Sequence, residues 1–204
     1  MKLYIDPGTG SMLFAVLIGI IGAVAYVFKE WAVKLKFLLT GGKKADTNTE
    51  KIPIVIFSDD KRYWSVFKPI CEEMNSRGID VVYMTASKDD PAFDENLQHL
   101  DAQFIGEGNR AFSKLNFLNA TMLISTTPGL DVFQWKRSKN VDYYVHVLHA
   151  ASNTCGYHMF GIDYYDAVLI SGNHHERDIR ALEKIRNLPA KELVMVGVPY
   201  MDAM

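Results

Sequence analysis

The residue best placed for chemistry is His149. It follows Tyr143-Tyr144-Val145-His146-Val147-Leu148, an aromatic and β-branched run that reads as a buried strand, and it opens a small, polar stretch from Ala150 to Thr154. An imidazole at the carboxyl end of a core strand is either a cap on that strand or a base in the region where α/β sheets gather their ligands. Its ordinary pKa of about 6.5 lets it accept a proton from a hydroxyl near neutral pH.

Two further strand-like runs end in groups that suit a ligand. Thr121–Ser125 leads into Thr126-Thr127-Pro128-Gly129, and Ala167–Ile170 leads into Ser171-Gly172-Asn173-His174-His175-Glu176. A helix starting at Gly172-Asn173-His174 presents free backbone N–H groups and the positive end of a dipole to an anion such as phosphate. Asn173 with Glu176 also reads as a capping box, which explains the same residues without a ligand. The candidates are therefore His149 as base, and Thr126, Thr127, Ser152, Ser171, Gly172, Asn173 and His174 as substrate- or phosphate-binding groups.

Other chemistries find less support. Cys71 lies among Phe67, Ile70 and Met74 and reads as core; Cys155 has no neighbour that would obviously lower its pKa. The adjacent His174 and His175 should point to different faces of a helix. With no HExxH and no CxxC, neither a metal nor another cofactor is expected. There is no GxSxG elbow, and Gly106-Glu107-Gly108 lacks the third glycine of a dinucleotide loop.

These groups need a scaffold that brings strand ends together. From Lys51 the pattern alternates: strand at Ile52–Phe57, helix through Tyr63, Phe67, Ile70 and Met74, strand at Val81–Met84, an irregular stretch over 88–100, a weak strand at Ala102–Ile105, and a helix over Ala111–Leu118. Strands at Thr121–Ser125, Val141–Leu148 and Ala167–Ile170 follow, then a helix through Ile179, Leu182 and Ile185, and a strand at Leu193–Val196. Pro69 either kinks or begins the first helix. Such alternation predicts an α/β, Rossmann-like, doubly wound and mostly parallel sheet. One edge of that sheet would collect Ser58, Asp59, Thr126, Thr127, His149, Ser152, Ser171 and Gly172.

A chain of 204 residues supports one good core. Its net charge of −2 implies no broad basic face, so nucleic acid is not an expected partner. Met12–Phe28 carries no charge and would span roughly 26 Å as a helix, near the lower limit for crossing a bilayer. Lysines 29, 34, 36, 43 and 44 follow it, against Lys2 before it, which predicts that the rest of the chain is cytoplasmic. The expected organisation is a leader over 1–11, a transmembrane helix with interfacial extension over 12–39, a linker over 40–50, and an α/β domain over 51–204. The expected location is the cell membrane, crossed once.

The run from His149 through Tyr164-Tyr165-Asp166, Ser171-Gly172-Asn173-His174-His175, Ile179-Arg180-Ala181-Leu182 and Gly197-Val198-Pro199-Tyr200-Met201-Asp202 resembles the CDP-glycerol glycerophosphotransferases, the teichoic-acid primases and polymerases. The likeness is strongest over 140–202 and extends plausibly back to Lys51. It implies the amino-terminal half of a two-lobed GT-B fold. It also implies transfer of glycerol phosphate from CDP-glycerol to a glycerol-phosphate or lipid-linked acceptor, with His149 in the place of the family's proposed base. Ala150 stands where the family usually has glycine. The family's donor-binding lobe would lie beyond Met201-Asp202, so the chain reads as one lobe of a longer or divided enzyme. Two alternatives stand beside this reading: another GT-B glycosyltransferase using a nucleotide sugar, and a non-catalytic, membrane-tethered binding module.

Overall fold

The structure is a computed structural model that describes residues 50–150, 152, 154–198 and 201. The expected leader, the membrane helix and most of the linker lie outside the described residues, as do the side chain of Cys155 and residues 199, 200 and 202. Among the described residues, no helix is long and apolar enough to cross a membrane.

Seven strands form one sheet: β1 (Ile52–Ser58), β2 (Val81–Thr85), β3 (Leu100–Phe104), β4 (Asn119–Ser125), β5 (Asn140–Val147), β6 (Ala167–Ile170) and β7 (Glu192–Met195). Their spatial order is β3-β2-β1-β4-β5-β6-β7, and every neighbouring pair is parallel. The sheet is thus wholly parallel rather than mostly so, and Rossmann-like in its winding. Three helices connect strands: α1 (Trp64–Ser76), α2 (Asn109–Leu115) and α3 (Asn173–Arg186).

Burial on both faces explains the unbroken apolar runs in β1, β4 and β5. On one face, Trp64, Phe67 and Cys71 of α1 pack with Ile56, Tyr83 and Val145. On the other, Ala111 and Leu115 of α2 pack with Phe57, Leu123, Tyr144 and the loop residue Trp135. Ile179 of α3 packs on Val168 and Ile170. Phe67 and Leu123 are wholly buried, and each such side chain contributes about 1.5–3 kcal/mol by leaving water. The two edge strands, β3 and β7, have no buried side chain along their length, and the weak sequence signal of β3 follows from that.

Pro69 lies inside α1 rather than at its start. It removes one helical N–H, and the amphipathic packing of Phe67 and Cys71 holds the helix regardless. The capping box at α3 does not form. Gly172 is the N-cap, with extended backbone and no side-chain cap bond, so Asn173 is the first helical residue. The extended Ser171-Gly172 turn out of β6 delays helix entry by no more than one residue, but that removes Asn173 from the capping position.

A charged network closes the opposite, amino-terminal edge. Arg137 forks onto both oxygens of Asp166, donates to the Tyr164 carbonyl and lies 4.5 Å over the Tyr144 ring. Asp166 Oδ2 also accepts from the Tyr144 N–H at 2.8 Å, which ties the start of β6 to β5.

Candidate functional site

The connections out of β1 and β4 diverge: β1 leads to β2 on one side, and β4 leads to β5 on the other. This is the topological switch point, where an open α/β sheet leaves a crevice beyond its carboxyl ends. The loop after β1 brings Asp59 and Tyr63 to it. Asp60 shapes that loop, accepting the Arg62 N–H at 2.9 Å and capping a short 3-10 turn over Lys61–Tyr63. The turn carries Tyr63 against the imidazole of His149, arriving from β5, with ring centroids 4.9 Å apart at 60°.

A cleft of about 240 Å³ opens here, lined by Tyr63, Pro128, His149, Ser152, Tyr157 and His158 among others. Tyr157 and His158 also wall a second cavity of about 290 Å³ against Asp178, Leu182 and Arg186 of α3. A larger, mostly apolar hollow of about 390 Å³ lies on α1 around Pro69, Ile70 and Met74, its polar lining being the exposed Glu73–Arg77 ion pair. Chemistry favours the smallest of the three, because only there do an imidazole and two phenols converge.

Electrostatics in the cleft follow from crowding. Burial pulls His149 below its ordinary pKa, and the Asp59 charge opposes that pull. The imidazole is therefore neutral, and basic, near pH 7. Asp59 is exposed by surface area yet closely surrounded at the mouth of the crevice. Desolvation raises its carboxyl, the nearby Thr127 hydroxyl offsets part of the rise, and the charge of Asp60 adds to it. Tyr63 is raised first by burial and then by Asp59. Behind the cleft, burial lowers the fully enclosed His146 to about 3, helped by the nearness of His149.

The predicted residues separate into groups. His149 and Ser152 line the cleft. Thr126 and Thr127 lie behind it, nearly inaccessible; Thr127 donates its N–H to Ser125 Oγ at 3.0 Å and its carbonyl accepts from Tyr165 Oη at 2.5 Å. Ser171 faces His175, whose Nδ1 lies 3.1 Å from the serine Oγ and 3.3 Å from its N–H. Gly172, Asn173 and His174 sit at the start of α3 and are not among the residues lining the cleft. The rings of His174 and His175 lie 4.0 Å apart, so the two do not diverge as adjacent helical positions should. The helix has barely begun there, and His174 folds back over the turn.

His175 is a structural tie. It is wholly buried, and its Nε2 lies 2.6 Å from the Ser152 carbonyl. A neutral imidazole protonated on Nε2 donates to Ser152 and accepts from the Ser171 N–H, joining the loops after β5 and β6. Gly161 makes a second tie: its carbonyl accepts from Gly129 N at 2.7 Å, and a Cβ there would come within 2.9 Å of the His158 carbonyl and 3.2 Å of Pro128. Ala150 causes no strain, because the described non-glycine residues with positive φ are Asp131, Phe160 and Asn187.

Among the described residues, three polar atoms at the ends of β4 and β5 are buried without a hydrogen-bond partner: Thr126 Oγ1, His146 Nδ1 and His149 Nδ1. Buried polar atoms are ordinarily paired, so this concentration marks a place where bound water or ligand completes the bonding. Among the described residues no group of three His, Cys, Asp or Glu side chains is set to hold a metal ion.

Tyr63, Tyr157, His158 and His146 escape sequence reading as site residues. Tyr63 fits the helical spacing of α1, and His146 is hidden within a strand run. Only the carboxyl-end position of Asp59 was a usable signal. No protein-family model, no curated protein and no solved structure matches the chain.

Proposed function

We propose that the cleft binds a hydroxyl-bearing acceptor, that His149 removes its proton, and that the reaction is glycerophosphate transfer from CDP-glycerol. The observation that carries this reading is the neutral, half-buried imidazole of His149 at the switch point, set against Tyr63 and opposite Asp59. The choice of donor rests on the sequence resemblance over 140–202.

In this reading the acceptor O–H gives its proton to His149. The oxygen attacks the glycerol-bearing phosphorus, the bond to the bridging oxygen breaks, and CMP leaves. Such transfers depend on positioning and on charge stabilisation. The residues lining the cleft include no lysine or arginine, so it suits the acceptor hydroxyl better than the donor's diphosphate. The sheet would then be the acceptor-side lobe of a GT-B arrangement, anchored in the cell membrane through residues 12–39 and facing the cytoplasm.

The test is CMP release from CDP-glycerol by the full chain in membranes supplied with a glycerol-phosphate-primed acceptor. His149→Ala should lower the rate at least about a hundredfold while leaving the fold intact. Undiminished release by that variant would remove His149 from the reaction. Turnover of UDP- or GDP-sugars in place of CDP-glycerol would make the protein a sugar transferase.

A further inference from the structure

Tyr157 is gripped from behind. Its Oη lies 3.1 Å from His146 Nε2, with the rings nearly perpendicular at 81°. His146 is wholly buried, with Tyr165 at 4.8 Å on another side, and its Nδ1 has no partner. A neutral imidazole holds one proton, on Nδ1 or on Nε2. Placed on Nδ1, it would make a buried donor with no acceptor, the rarer and costlier defect. Placed on Nε2, it donates to Tyr157 Oη and leaves only a lone pair unmatched.

The phenol oxygen then accepts from His146, which leaves its own hydrogen free to be donated into the cleft that Tyr157 lines with His149 and Tyr63. We infer that Tyr157 is a fixed hydrogen-bond donor to an oxygen of the bound acceptor, held in that role by His146 as a positioning residue. Burial also raises the phenol pKa, so the hydrogen is retained at any physiological pH. The inference rests on the reading of the cleft as an acceptor site and adds to it a binding contact from a residue not among those that carry the resemblance.

The experiment uses the full chain labelled with 15N, and glycerol and sn-glycerol 3-phosphate as probes. Long-range 1H–15N spectra should show His146 neutral with its proton on Nε2; a proton on Nδ1 overturns the inference. Tyr157→Phe should weaken binding of the probes about tenfold, and unchanged affinity overturns it. His146→Gln, whose amide can replace the Nε2 donor, should retain more affinity than His146→Leu at matched stability; equal loss in both speaks against positioning. Wild-type protein that binds neither probe refutes the acceptor reading itself. Binding by wild type with no loss in Tyr157→Phe refutes the role of Tyr157 alone.

Discussion

The Tyr63 ring meets the His149 imidazole edge-on across 4.9 Å, joining the loop after β1 to the end of β5. The contact both orients the imidazole and removes water from one side of it. Tyr63→Ala should therefore cost about 1 kcal/mol of stability and let the His149 pKa rise toward its ordinary value. An NMR titration of the His149 ring reads the second effect; a pKa that stays put or falls assigns the desolvation to other neighbours.

Asp59 acts on the same imidazole in the opposite sense to burial. Its negative charge favours imidazolium, so Asp59→Asn should lower the His149 pKa further. The acid limb of the transfer rate, set by the base losing its proton, should move to lower pH with it. A shift to higher pH would contradict the placement of the carboxylate.

His146 makes stability depend on acid. Its folded pKa of about 3 lies below the unfolded value of 6.5, so between these the unfolded chain binds the extra proton. Stability is fully present above 6.5 and is lost as pH falls toward 3, by up to about 1.4 kcal/mol per pH unit. Tyr157, Tyr165 and His149 are its titratable neighbours, and only His149 titrates near this range. Urea melts from pH 7 to 4 should show the slope, and His146→Phe should flatten it.

Asp166 accepts from Arg137 twice and from the Tyr144 amide. Asp166→Ala strips the Arg137 fork of its carboxylate, leaving it the Tyr164 carbonyl, and strands the Tyr144 amide, a loss of about 2 kcal/mol in chemical denaturation. A change under 1 kcal/mol would mean that water replaces the carboxylate freely.

His175→Ala should cost a similar amount, because it strands the Ser152 carbonyl and the Ser171 amide together. It should also raise KM for the acceptor without direct contact, since Ser152 lines the cleft. An unaltered KM would show that the loop holds its shape alone.

The sheet was legible because β1, β4 and β5 are apolar on both faces and end abruptly in polar residues. That is the pattern two-sided burial demands. Its central position also made His149 readable, since a strand end is a place periodicity can locate. The helix start at α3 was misjudged because the choice between Gly172 and Asn173 as cap depends on the turn leaving β6, which composition does not encode. Tyr63 and Tyr157 were invisible for a different reason. Each reaches His149 or its neighbour through tertiary packing across many residues of sequence, and an amphipathic or turn position looks the same whether or not a ligand site lies beside it.

Strands β1, β4 and β5 are each hydrogen-bonded on both sides, whereas β3 and β7 have one open edge, with Val194 and Met195 of β7 exposed. Local opening begins at such margins, and amides in the middle of a sheet exchange only when the whole domain unfolds. The loops that carry Asp59, Pro128 and His149 hang from those middle strands. Fraying of either margin therefore leaves the cleft standing, and its integrity tracks global melting rather than the earlier loosening that deuterium uptake would register in β3 and β7.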